Sequence, residues 1–181
     1  MFKKYWKFFV IFWSVVLVGI IGVFVFFWLI SAGKLGFMPT FEELENPNNR
    51  FASEVYFADG PIMNRYFEKE NRKYIEYREI PQSVIDALIA TEDVRFYDHS
   101  GVDVRGLFRV AKGLLTANTS AGGGSTISQQ LAKMLFPRES DLNVFELAIR
   151  KFREWVIAVR LEKSYTKEEI LTMYLNKYDF L

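Results

Sequence analysis

From Phe8 to Ile30 the chain reads FFVIFWSVVLVGIIGVFVFFWLI, with no charged position. Roughly 20 apolar residues suffice for a helix to cross a bilayer, so residues 8–30 are expected to be a transmembrane helix. A cleaved signal sequence is the competing reading. Its apolar core runs only about 7–15 residues and closes on a small-residue cleavage site, for which FFWLISAGK is a poor match. Gly33, Gly36, Pro39, Asn46, Pro47 and the Asn48-Asn49 pair are turn formers, so residues 31–50 read as a juxtamembrane linker. Two β-prone runs flank Asp59-Gly60, which predicts a hairpin, and residues 73–79 read as a candidate third short strand. After Pro81 the apolar spacing changes to a helical period, over 82–93, 104–116, 125–136, 143–162 and 167–177. Thr166 with Glu169 three positions on is a capping box for the last of these. The pattern therefore predicts a mostly α fold: an N-terminal transmembrane helix, a short β-hairpin entry, and a helical domain over 51–181.

Charge sets the orientation. Lys3, Lys4 and Lys7 precede the apolar run, so residues 1–7 are expected to stay in the cytoplasm and the remainder to cross over. The whole chain carries 23 Lys and Arg against 22 Asp and Glu, so without those three lysines the exported part is near neutral. Nucleic-acid binding, which favours a strongly basic domain, gains no support. There is no cysteine and only one histidine. Disulfides, thiolate metal sites, a thiol nucleophile and a multi-histidine metal site are excluded.

The candidate chemistry lies in three stretches. In TEDVRFYDHSG (91–101), helical spacing of about 100° per residue places Glu92 on the stripe of Ile85, Leu88 and Ile89, with Asp93 off to its side. Glu92 is then either a helix-end acid fraying into water or a carboxylate lining a cleft, where desolvation suits a general base. Phe96 reads as core and His99 as a structural hydrogen bonder or a catalytic group. In residues 143–162 one stripe is apolar (Phe145, Ala148, Ile149, Phe152, Trp155, Val156 and Val159). Another reads as solvated (Glu146, Arg153 and Arg160). Glu154 belongs to neither. It shares a strip with Leu147, Arg150, Ala158 and Leu161, with Lys151 at the margin. Pairing with Arg150 is the bland explanation; the apolar neighbours favour a pocket. In SAGGGSTISQQLAKMLF (120–136), Ser125 or Thr126 can cap a helix whose polar strip is Thr126, Gln130 and Lys133. Such a helix start can bind phosphate, although it is not a Walker loop. The apolar-basic segment GLFRVAKGLLTA (106–117) reads equally as a membrane-dipping element or a buried amphipathic helix.

Together these stretches resemble the peptidoglycan glycosyltransferases, glycosyltransferase family fifty-one. These are the chain-polymerising domains of class A penicillin-binding proteins and of monofunctional transglycosylases. The pattern E-D-x-x-F-x-x-H-x-G is met by Glu92, Asp93, Phe96, His99 and Gly101. G-x-S-T-x-x-Q-Q-L-x-K-N is met by Gly123, Ser125, Thr126, Gln129, Gln130, Leu131 and Lys133, with Met134 for the final Asn. R-K-x-x-E-x-x-x-A-x-x-L-E is met by Arg150, Lys151, Glu154, Ala158, Leu161 and Glu162. K-x-x-I-L-E-x-Y-L-N is met by Lys167, Ile170, Leu171, Tyr174, Leu175 and Asn176, with Thr172 for Glu. The resemblance covers about 51–181, and the family pattern continues past YLNKYDFL, so the chain is expected to be incomplete at its C-terminus.

The resemblance implies a lysozyme-like fold whose cleft faces the membrane. The implied reaction joins lipid II, a disaccharide-pentapeptide on polyprenyl pyrophosphate, into β-1,4-linked glycan by inverting transfer with release of polyprenyl pyrophosphate. Glu92 is implied as general base and Glu154 as the second catalytic carboxylate in the same groove. Lys133 and Arg150 would meet the charge on the leaving pyrophosphate. Thr126 and Gln130 would orient phosphate or sugar, with Asp93, Phe96, His99, Gln129 and Lys151 completing the substrate-binding set. No cofactor is obligatory; a divalent cation, Mg or Mn, assists some members, and Glu154 would hold it or position Arg150. The implied partners are lipid II, the growing glycan chain, the bilayer and other cell-wall synthesis and division proteins, with no nucleic acid. The implied setting is the bacterial plasma (inner) membrane, single-pass, with the catalytic domain extracytoplasmic or periplasmic. The rival readings are a lysozyme-type hydrolase or lytic transglycosylase, which would not need the cations at Lys133 and Arg150, and an inactive membrane-anchored scaffold.

Overall fold

A computed structural model describes residues 2–40, 43–44, 53–66, 73–116, 123–135 and 143–178. The linker positions Asn46, Pro47, Asn48 and Asn49, Ser120 to Gly122 of the glycine-rich lead-in, and residues 136–142 lie outside it. The fold is mostly helical, with one two-stranded antiparallel sheet.

Helix α1 spans Phe2–Ser31 and is long and apolar enough to cross a membrane over Tyr5–Ser31. It stops where Gly33 takes φ +70°. There the amide of Gly33 bonds the carbonyl of Ile30 and that of Lys34 bonds the carbonyl of Leu29. That pair of bonds is a Schellman ending, which glycine closes without strain.

Two compact units divide the chain, Met1–Met38 with Leu142–Val156, and Pro39–Asp141 with Ile157–Leu181. In the first, α1 meets the N-terminal part of helix α5 (Val144–Ser164). Phe26 and Phe27 set their rings edge-on to Phe152, 5.4 and 5.7 Å between centroids. Arg153 was expected to be solvated but is only 8% exposed. It lies against Gly36, where an added Cβ would stand 2.2 Å from its Nη1, so a larger residue there would have to displace the guanidinium. Arg160, on the C-terminal part of α5 in the second unit, donates to the Pro39 carbonyl at 2.9 Å. Burial lowers its pKa. The seven-residue spacing of these cations marks a face correctly. At Arg160 the linker backbone supplies a carbonyl that the guanidinium can meet. Conversely Phe145, placed on the apolar stripe, is 71% exposed.

The second unit opens with the expected hairpin. Strands β1 (Ser53–Tyr56) and β2 (Ile62–Tyr66) pair with Ser53 opposite Tyr66 and a bulge at Val55/Tyr56. Gly60 turns the chain at φ +103°. The third strand does not form: Tyr77–Glu79 is a 3-10 turn. A β-strand needs a partner backbone, and here a side chain replaces it. Asn176 accepts from the Ile75 amide at 2.9 Å and donates to the Ile75 carbonyl at 2.8 Å. Helices α2 (Gln82–Glu92), α3 (Val104–Leu115), α4 (Ile127–Leu135) and α6 (Lys167–Lys177) follow the predicted spans within two residues. Thr166 and Glu169 form the capping box of α6. α4 packs on α6, and Phe96, Ile127, Leu131, Leu161 and Ile170 form a core closed to solvent.

Candidate functional site

The two acids at the end of α2 exchange the places that helical spacing gave them. Asp93 follows the last helical residue with φ −157° and ψ 77°, so the 100° step no longer applies to it. Its side chain turns inward and the residue is 7% exposed, while Glu92 stays exposed. The Asp93 carboxylate accepts the Ile127 amide at the start of α4, 3.1 Å away. A helix N-terminus is where a negative charge is best placed. The carboxylate also lies 3.0 Å from His99 Nε2, which must carry the proton because an ionised carboxylate only accepts. Asp93 and His99 thus join the end of α2 to the start of α4.

Glu92 stands on the wall of a cleft of about 380 Å³ with Asp93, Arg95, Asp103, Arg109 and Thr126 among its lining residues. Gln130 Nε2 donates to Glu92 Oε2 at 2.7 Å. Tyr174 donates to the other end of the same amide, Gln130 Oε1, at 3.0 Å. Burial, reinforced by the Glu92 charge, raises the pKa of the Tyr174 hydroxyl. Arg95 donates to Asp103 Oδ2 through Nε at 3.1 Å and Nη2 at 2.5 Å. Desolvation works against the Asp103 charge, yet the Arg95 bonds and the Gly106 amide hold its carboxyl below the ordinary 3.8. A depressed folded-state pKa contributes stability that is complete above the unfolded value and lost as pH falls through the folded value. The stability gap between the wild type and Asp103→Asn, followed by urea unfolding, is therefore expected to be constant near neutrality and to close only below about pH 4.

The glycine-rich stretch proves more structural than its polarity suggests. Thr126 caps α4, accepting the Gln129 amide at 3.2 Å, and its hydroxyl donates to the Gly101 carbonyl at 2.7 Å. Gln129 Nε2 reaches the same carbonyl at 3.3 Å. Both residues are buried. Lys133 is exposed on α4. Phe96 is buried beneath Lys167 Nζ, 4.2 Å from the ring centroid. That ammonium also donates to the His99 carbonyl at 2.7 Å and pairs with Glu162, which accepts Ser128 Oγ at 2.5 Å. This hub ties all four recurring stretches together. Nothing in the apolar periodicity announced it, or the parts of Tyr174, Arg95 and Asp103. A glutamate and a lysine five residues apart across the Thr166 cap were the available signal.

Arg150, Lys151 and Glu154 belong to the first unit and Glu92 to the second. Glu154 is largely buried and takes Lys151 as its ion partner at 2.8 Å, not the expected Arg150. Arg150 is half-buried. With its carboxylate already meeting an ammonium, Glu154 is poorly prepared to hold a cation. Among the described residues no group of three His, Cys, Asp or Glu gathers to bind a metal.

A family model described as transglycosylase matches residues 59–181. The chain is 39% identical over 140 residues to penicillin-binding protein 1A of Escherichia coli K12, covering 77% of this chain and 16% of that protein. With penicillin-binding protein 1A of Haemophilus influenzae it shares 39% over 149 residues, 82% of this chain and 16% of the relative. With that of Vibrio cholerae it shares 33% over 162 residues, 90% and 18%. The chain thus spans less than a fifth of the length of these relatives.

Proposed function

The chain belongs to the transglycosylase family, and from that premise we propose that it polymerises lipid II into peptidoglycan glycan strands at a bacterial plasma membrane. The observation that carries this reading is Glu92, an accessible carboxylate at a cleft wall whose orientation is set by a donated amide. In the proposed step Glu92 takes the proton from the acceptor sugar's 4-hydroxyl. That oxygen bonds the anomeric carbon of the growing chain with inversion, and the bond from that carbon to pyrophosphate oxygen breaks. Pyrophosphate leaves as a stable anion, so the step needs cations more than a strong general acid. We assign that role to Lys133 and Arg150, with Glu154 positioning the cations of its own helix. Asp93, Phe96, His99, Thr126 and Gln129 act by building the cleft. The experiment offers lipid II and finished glycan separately: elongation of the first supports the reading, and cleavage of the second alone would replace it with a hydrolase.

A lipid-linked substrate requires the cleft to work at the bilayer. α1 would anchor the chain with its N-terminus in the cytoplasm. α3 supplies a second contact in this proposal. Val104, Phe108, Ala111 and Leu115 recur at helical spacing and are exposed, Phe108 by 73% and Leu115 by 89%. Arg105, Arg109 and Lys112 flank them. Apolar residues edged by cations suit the headgroup boundary. The chain has no cysteine, so a fluorophore on Phe108→Cys reports this site alone. In anionic vesicles its emission is expected to shift blue and to be quenched by spin-labelled lipid, whereas a label on Lys112→Cys is quenched less.

A further inference from the structure

We propose that Tyr174 is a positioning residue for Glu92, acting through the side-chain amide of Gln130. The proposal rests on the reading of Glu92 as the base. Tyr174 is 1% exposed and is not among the residues lining the cleft. It donates to Gln130 Oε1 at 3.0 Å, and Gln130 Nε2 donates to Glu92 Oε2 at 2.7 Å. The chemistry of the three groups admits one arrangement. A carboxylate only accepts, an amide has one accepting and one donating end, and a protonated hydroxyl supplies the remaining donor. With the hydroxyl on its oxygen, the amide keeps its NH₂ on Glu92. Without it, the amide oxygen can turn to water and carry the NH₂ off the carboxylate.

The backbone places this chain firmly. Gln130 is held on α4 by the hydrogen bond its backbone N–H donates to the Thr126 carbonyl, and Tyr174 stacks on Tyr178 with centroids 5.1 Å apart. The other charged or titratable groups lining the cleft beside Glu92 are Asp93 on the adjoining turn, Arg95 and Asp103 from the following loop, and Arg109 on α3. None of them is altered by removing the Tyr174 hydroxyl. Tyr174 therefore tunes the base from behind, out of reach of substrate.

The test uses the full chain in vesicles, with Tyr174→Phe and, should that variant fold poorly, Gln130→Met. Loss of a donor to a carboxylate favours its protonated form. The Glu92 carboxyl, labelled with carbon-13 and assigned by its disappearance in Glu92→Gln, is expected to titrate at higher pH in either variant than in the wild type. The acid limb of the polymerisation pH profile should move the same way, with about a 10-fold loss of rate on the acid side. In the Gln130→Met background, Tyr174→Phe should move the titration no further. An unmoved carboxyl titration in both single variants overturns the proposal. A titration that moves as expected in a chain that does not polymerise lipid II keeps the positioning role and refutes the function instead.

Discussion

Glu92→Gln is expected to cut lipid II polymerisation by about 10²–10⁴-fold, the usual contribution of a positioned general base, while lipid II binding changes only a few-fold. The substitution keeps shape and removes only the proton acceptor. It leaves the fold alone because Glu92 is exposed and hydrogen-bonds to the side-chain amide of Gln130, which Tyr174 holds from its other end. Its neighbour supplies the contrast. Asp93 joins His99 Nε2 to the Ile127 amide inside the protein, so Asp93→Asn should lower stability together with activity, whereas Glu92→Gln lowers activity alone. Thermal unfolding beside glycan product analysis separates the two. Normal polymerisation by Glu92→Gln would remove Glu92 from the chemistry.

Gly101→Ala is expected to be the most damaging added methyl among the described glycines. Gly101 sits at φ +92°, and a Cβ there would stand 2.8 Å from the Ala158 carbonyl carbon and oxygen and from the Val159 nitrogen. Those are helix backbone atoms and cannot step aside as a side chain tip can. The left-handed strain and the overpacking each cost about 1–3 kcal/mol, enough together to lower Tm by roughly 10 °C. The Gly101 carbonyl also receives Thr126 Oγ1 and Gln129 Nε2, so displacement of this turn loosens the start of α4 and, one residue on, Gln130. Gly60→Ala is the control. It has a similar φ of +103° but open space around it, and should cost only the strain. Equal effects of the two substitutions would mean the helix backbone does yield.

Helices α2, α4 and α6 were legible because each buries a stripe at the helical period, which needs no knowledge of what covers it, and α1 because its apolar run is unbroken. Where the reading failed, something outside the local pattern decided. The direction of Asp93 was inferred by continuing the helix one residue past Glu92, but the backbone leaves the helix at Asp93 and the buried acid is the second of the pair. The strand at 73–79 was a fair reading of its own residues. No periodicity announces that Asn176, a hundred positions away, will pair with Ile75 through a side-chain amide. Arg153 and Arg160 looked solvated because charged residues usually are; instead Arg153 is buried against Gly36 and Arg160 is half-buried on the Pro39 carbonyl. The four ordered motifs name candidate residues but not the contacts those residues make. Thr126 and Gln129, read as substrate ligands, have polar groups engaged with Gly101 inside the protein. Tyr174, matched only as part of the fourth motif, holds the amide that bonds Glu92.

The most direct measurement counts products in vesicles supplied with lipid II: polyprenyl pyrophosphate released against new glycosidic linkages formed. The account predicts one released for each linkage, in a rise that stops in Glu92→Gln. Linkages that form in Glu92→Gln at the wild-type rate, or a wild-type chain that opens finished glycan and leaves lipid II untouched, would contradict it.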